Sequence, residues 1–224
     1  MQETEYKYER TLHHLIAVTG GVMAGCALFN RFDVMGCAQT ANLIYLVRVL
    51  IGQNWVSTLI HLGAFGIYFG ANVLFVVLRD RTRLPLQLIS MLLTSLALLL
   101  SGFIPAEVYP ALALYPVFLA SAFQWDAFPG ADGYVSSTIF STNNTKQSAM
   151  ALTEFALHHD RQKLDKAMFF FGSLLFFHVG VACACLLSDR FGIHASWPGL
   201  LLQIPAYLLL LRKMRSRRGM QRLC

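Results

Sequence analysis

The side chains best suited to chemistry in this chain are uncharged ones: Thr40-Ala41-Asn42 in the first half finds an echo in Thr142-Asn143-Asn144 in the second. A hydroxyl and a carboxamide two positions apart offer donors and acceptors together, which suits a polar solute or a partly dehydrated ion. Gln124 and Asp126, within FQWDAFPGADG, add a further amide and an acid. Asp126 could bind a proton or cation; it could equally be an acid in headgroup water just before Pro129-Gly130. The residues expected to contact a substrate are therefore Thr40, Asn42, Gln124, Asp126, Thr142 and Asn144.

Covalent and metal chemistry have no comparable signature. The chain lacks a two-histidine zinc helix, a serine elbow and a nucleotide loop, so no catalytic residue, metal or cofactor is expected and the protein is read as a non-enzyme. Cys183-x-Cys185 comes closest to a ligand pair, but within a helix its thiols point to different faces and serve packing. His158 and His159, in EFALHHDRQKLDK, are read as loop residues, and His13 and His14 as interfacial ones.

The elements that position these residues follow from composition. The chain is 56% hydrophobic and 13% charged, where a soluble domain carries roughly 25% charged residues; this is the balance of a membrane protein. Runs at 55–78, 84–104, 108–125 and 167–187 each supply about the 20 residues that a bilayer crossing requires. Two more, 12–30 and 194–211, are shorter or more polar. Met23-Ala24-Gly25-Cys26 resembles a lipoprotein cleavage box, but the preceding MQETEYKYER mixes acids with bases, unlike a signal peptide. The segment is kept as a first helix. The expected fold is an all-α polytopic membrane protein of about six transmembrane helices.

The Thr-x-Asn echo extends to its surroundings. Gly21-Val22-Met23-Ala24-Gly25 precedes the first site and Ala122–Ala127 the second, while Gly63 with Asp80-Arg81 has the same mutual spacing as Gly172 with Asp189-Arg190. The copies stand 102 residues apart at Thr40 and Thr142 and 109 apart at the Asp-Arg pairs, which places an insertion of 7 within EFALHHDRQKLDK. Basic groups at Arg79–Arg83, Arg161–Lys166 and Arg212–Arg222 mark three segments as cytoplasmic. Three spans per half then make the repeats inverted: 1–104, 105–211 and a basic tail, 212–224, with both termini inside. The tail accounts for the net charge of +6 as a topology signal rather than a nucleic-acid site.

Local expectations follow. Thr40 and Thr142 would cap short helices after a break in each half. The lack of bulk around Gly21–Gly25 would let another backbone approach, and Gly66-x-x-x-Gly70 would form a close-packing face, internal or in a homodimer. The leucine-rich third span would be lipid-facing scaffold.

On these motifs the chain resembles the YoaK-like family of uncharacterised bacterial inner-membrane proteins. Its members show Gly-x-Val-Asp-Ala ending the first helix, Gly-x-Gln-Asn-Ala ending the fourth, and a Thr-Gly-Asn after each. Here Ala24 stands at the acid, Trp125 at the second asparagine, and Ala41 and Asn143 at the central glycines. The resemblance implies the repeat architecture and a bacterial inner membrane. The broken helices themselves point to a transporter of a small solute or ion, with its site where the repeats meet. The alternative is a structural or regulatory membrane protein whose asparagines tie the halves together.

Overall fold

Apolar runs become helices here because, in hydrocarbon, each peptide group must find its hydrogen bond within its own segment. The computed structural model describes residues 2–31 and 36–221, with side chains for 8–31 and 36–215. The chain begins with α1 (Gln2–Asn30), the short α2 (Gln39–Ile51), α3 (Trp55–Arg81) and α4 (Leu86–Phe103). α5 (Pro110–Ala113) and α6 (Tyr115–Ala127) lead into a small antiparallel hairpin, β1 (Gly130–Ala131) and β2 (Tyr134–Val135), with Gly130 opposite Val135. α7 (Thr142–His158), α8 (Arg161–Phe191), α9 (Ser196–Gly199) between two 3-10 turns, and α10 (Ile204–Gln221) follow. Phe32–Met35, the first part of the expected first break, lies outside the described residues.

Four stretches are long and apolar enough to cross a membrane: Tyr8–Asn30, Trp55–Arg81, Leu86–Phe103 and the run Arg161–Arg215. The protein is an integral membrane protein. The expected span at 108–125 is divided at Leu114, because Pro110 and Pro116 each open a new helix, where a missing N–H costs nothing. The final run is not one rod. Gly192 takes a φ of 56°, a conformation that favours glycine, and the chain doubles back there. Arg10 holds Asp165 near the start of α8, and Lys213 of α10 holds Glu9 one residue away on α1.

The two ends of the bundle are chemically distinct. At one, Asn30 donates to Ser188 Oγ (2.9 Å), His194 Nδ1 donates to the Gly102 carbonyl (3.0 Å), and Arg31 reaches three carbonyls ending α4. At the other, Tyr8 bonds to the Leu209 carbonyl and Gln87 to that of Ala127, and Arg10 forms ion pairs with Asp132 and Asp165. The three basic groups of the sequence gather at this second end, although the tail beyond residue 215 has no described side chains.

α1 is the enclosed helix of the bundle, while α3, α4 and α8 turn most of their apolar windows outward. It lies parallel to α8 in backbone contact. A Cβ on Gly21 would overlap the Phe177 carbonyl, and one on Gly180 would overlap that of Val18. The small-residue segment of α1 is therefore a helix-packing surface, as expected. Gly66 and Gly70 pack against no other helix of this chain among the described residues: nothing lies within 4 Å of a Cβ built on either. They sit on the outer face of α3, above a groove whose far walls are α4 and α6. Nor is α4 only scaffold, since Ser90 and Thr94 are buried on its inner face while Leu92, Leu96 and Leu99 are exposed on the other.

His158 and His159 do not lie in a loop of any length. α7 ends at His158, His159 adopts a left-handed φ of 55°, and the Asp160 carboxylate accepts from the Gln162 N–H at 2.9 Å to open α8. The extra residues of the second half lengthen its helices, 17 residues in α7 against 13 in α2, and 31 in α8 against 27 in α3.

Candidate functional site

The segments that precede α2 and α7 come together around one cavity of about 890 Å³. Gln39 and Thr40 line it from α2, Tyr68 from α3, Trp125 from α6, Ser136, Ser137, Ile139 and Phe140 from the loop after β2, and Thr142, Asn143 and Lys146 from α7. Both Thr-x-Asn segments thus contribute to one site despite their separation in sequence. Within each triplet, however, the roles divide. Thr40 and Thr142 are exposed in the cavity wall, whereas Asn42 and Asn144 are buried behind it.

The threonines do not cap their helices. α2 begins at Gln39 with Ala38 as N-cap, which puts Thr40 inside the first turn; α7 begins at Thr142 itself, with Ser141 before it making no side-chain cap. Their hydroxyls are left to face the cavity. A helix N-terminus carries partial positive charge, neither first turn holds an acid, and Lys146 is the one charged side chain among the described lining residues. The Cys37 thiol, also in the wall, is pushed up to about 12 by burial and stays protonated. The described part of the cavity wall is therefore neutral to positive.

Asn42 is a tie between α2 and α3. Its Nδ2 donates to Gln39 Oε1 (2.9 Å) and to the His61 carbonyl (3.1 Å), while its Oδ1 lies 2.8 Å from His61 Nδ1. His61 in turn meets the Tyr109 hydroxyl at 3.2 Å. Asn144 organises the loop that closes the cavity. It donates to the Ser137 and Phe140 carbonyls (2.7 and 3.3 Å) and accepts from Ser136 Oγ (3.0 Å) and the Ser137 N–H (3.4 Å). Gln124 occupies the centre of the bundle, where Nε2 donates to Thr138 Oγ1 (3.0 Å) and the Ile16 carbonyl (3.4 Å), and Oε1 faces Thr94 Oγ1 (3.3 Å). One side chain joins α1, α4, α6 and the Ser136–Phe140 loop. Asp126 is half-buried, makes no hydrogen bond and does not line the cavity.

The geometry predicts which substitutions cost stability. Asn144→Ala is expected to lower the thermal midpoint in detergent by an amount equivalent to about 2 kcal/mol, since it strands two carbonyls and two donors in a buried site. Thr142→Val is expected to leave the midpoint unchanged within error. Equal losses for the two would contradict the division between wall and support.

Gln39 is the wall residue that sequence reasoning passed over. Its Oε1 accepts from Asn42, and its buried Nε2 has no protein partner. The signal was its place directly before Thr40, in the stretch too polar for a span. Tyr68 and Lys146 could not be read in the same way, because each lies inside a helix and only the packing turns it toward the cavity. Among the described residues, no three His, Cys, Asp or Glu side chains form a metal-binding group.

The sequence profile of a family described as "Protein of unknown function (DUF1275)" matches residues 12–209. No curated protein and no solved structure matches the chain.

Proposed function

The chain belongs to this DUF1275 family, whose match runs through both Thr-x-Asn segments, and from that premise we propose that it is a transporter of a small polar solute or ion with its binding site in the cavity between them. The single observation that carries the reading is the shared cavity. Thr40 and Thr142, 102 residues apart, face one space bounded by the starts of two helices. Irregular backbone survives at membrane depth where it lines a cavity or is buried in protein, and paired helix breaks at a repeat interface are where secondary transporters hold their solutes. Among the described residues the wall holds one cation and no acid, which favours neutral or anionic solutes. Asp126, off the wall, has no direct part in binding.

Two inverted repeats with six passes fit the contacts. Gly63 of α3 packs on the Tyr115 hydroxyl that opens α6, and Gly172 of α8 packs on the His14 ring of α1. The offset that relates Thr40 to Thr142 carries His14 to within one position of Tyr115, so each contact is the other's counterpart. The collected basic residues support a cytoplasmic setting for that end, and with it for both termini. The resemblance to the YoaK-like proteins carries the bacterial inner membrane.

The experiment is aqueous accessibility of Thr40→Cys and Thr142→Cys, each in a background without Cys26, Cys37, Cys183, Cys185 and Cys224. Both are expected to react with membrane-impermeant thiol reagents, and a solute that slows both is the substrate candidate. If neither reacts in folded protein, the cavity is closed to water. The structural alternative, to which the fully bonded Asn42, Asn144 and Gln124 are suited, then takes precedence.

A further inference from the structure

Behind the cavity wall a histidine is held in one tautomer with its basic nitrogen free. His13 and Ser136 are both nearly inaccessible, at 2% and 1% exposure, and His13 Nε2 lies 3.1 Å from Ser136 Oγ. Which of the two donates follows from proton bookkeeping. The Asn144 amide nitrogen is committed to two carbonyls, so its oxygen faces Ser136 and can only accept. The single Ser136 hydroxyl proton goes to that oxygen. Ser173 uses its own proton on the Phe169 carbonyl, 3.1 Å away. Ser136 Oγ is therefore left to accept from His13, which must carry its proton on Nε2. Its Nδ1 then presents a lone pair, buried and with no hydrogen-bond partner.

A second unpartnered acceptor stands on the same face of α1. Arg10 lies one helical turn before His13, and residues three apart on a helix are neighbours. Asp132 binds Arg10 through Oδ2 at 2.6 Å, while its Oδ1 is buried without a partner. The hairpin of β1 and β2 runs from Asp132, beside Arg10, to Ser136, beside His13. Ser136 itself forms part of the cavity wall. Buried ionisable groups in a membrane protein are costly and mark ion or proton pathways when they face the bundle interior.

We propose that His13 is a proton-transfer residue connecting the cavity, through Ser136, with the Arg10–Asp132–Asp165 cluster at the basic end of the bundle. This rests on the cavity being the transport site, and makes proton movement part of its work. His13 takes up a proton at Nδ1 from the Asp132 side and releases one from Nε2 to Ser136 Oγ, whose own proton passes to water in the cavity. Each transfer makes one bond to hydrogen and breaks one: Nδ1–H forms as a hydronium O–H on the Asp132 side breaks, a new Ser136 O–H forms as Nε2–H breaks, and a hydronium O–H forms in the cavity as the original Ser136 O–H breaks. The titratable ring beside His13 is that of His14, which in turn lies within the fields of Arg10 and Asp132; Tyr134 of the hairpin reaches both histidines only through Phe169, and Asp165 of α8 and Lys213 of α10, on Glu9, lie beyond.

The test uses the proton alone as probe. In liposomes holding the full chain and an internal pH dye, a potassium diffusion potential is expected to drive proton entry above that of protein-free liposomes. His13→Gln, whose terminal amide can still donate to Ser136, is expected to cut it by about tenfold or more. Wild-type entry no faster than empty liposomes, or an unchanged rate in the variant, overturns the proposal. Should His13→Gln not fold, the nitrogen-15 spectrum of His13 in the wild type decides: the Nε2–H tautomer is expected at neutral pH, and an Nδ1–H tautomer overturns it. Inert cysteines at 40 and 142 would sink the cavity reading while leaving both of these results standing, so the two failures can be told apart.

Discussion

Replacing Arg31 with alanine is expected to lower stability by about 3 kcal/mol, the largest loss for any single polar side chain here, read as the thermal midpoint in detergent. Arg31 is 3% exposed. Its guanidinium donates to the carbonyls of Pro105 (2.6 Å), Ile104 (2.7 Å) and Ser101 (3.1 Å), all at the C-terminal end of α4. A helix leaves its last carbonyls without partners, and the same end carries partial negative charge that a cation stabilises. One side chain from the end of α1 thus completes α4. Alanine would take this donor from all three carbonyls, of which Pro105 alone keeps another, the Val108 N–H at 3.3 Å, while lysine is expected to recover only part of the loss, because a point charge cannot reproduce the fork of donors. A loss below about 1 kcal/mol for Arg31→Ala would mean that water or lipid headgroups replace the guanidinium freely.

The second large effect separates two kinds of glycine. Gly21→Ala and Gly180→Ala each place a methyl group against backbone of the opposite helix, at Phe177 and Val18 respectively, and backbone cannot rotate out of the way. α1 and α8 must then separate along their whole contact, at a cost of about 3 kcal/mol or more. The expected result is a large drop in the yield of monodisperse protein on size-exclusion chromatography. Gly66→Ala and Gly70→Ala meet nothing, and are expected to be neutral or to stabilise α3 by up to about 1 kcal/mol each, the difference in helix propensity. On the sequence alone Gly21, Gly66 and Gly70 would all be close-packing positions. A collapse of Gly66→Ala would show that the outer face of α3 is covered in the membrane, as in a homodimer through that groove.

The division of the Thr-x-Asn segments shows how the members of one motif can part in the fold, the threonines in a cavity wall and the asparagines behind it. Both triplets do meet at one cavity, and their polarity within apolar surroundings was a sufficient signal for that. The asparagines looked like the ligands because carboxamides are versatile. Yet Asn42 has His61 to bind and Asn144 has the Ser136–Phe140 loop, and a buried amide with such partners has little capacity left for a solute. Asp126 drew attention as an acid paired with Gln124 that could bind a proton or cation, but α6 turns Trp125 rather than Asp126 into the wall. His13 was assigned to the interface from its position near the start of a span; only the approach of α8 and the hairpin encloses it.

The sequence by itself determined that this is a helical membrane protein, where its long apolar helices lie, that α1 would be closely approached near Gly21, and that basic residues would gather at one end. These are local properties: twenty apolar residues form a helix in lipid whatever surrounds them, and a missing side chain leaves room wherever it occurs. Which face of each helix meets a neighbour was decided by the tertiary structure alone. Gly66 and Gly21 are alike in composition and differ only in that α8 lies against one and no helix lies against the other. Thr142 and Asn144 sit two residues apart on one helix, and the rotation of α7 against α8 puts the first in the cavity and the second behind it. Such a rotation depends on the whole set of partners, which no short stretch of chain contains.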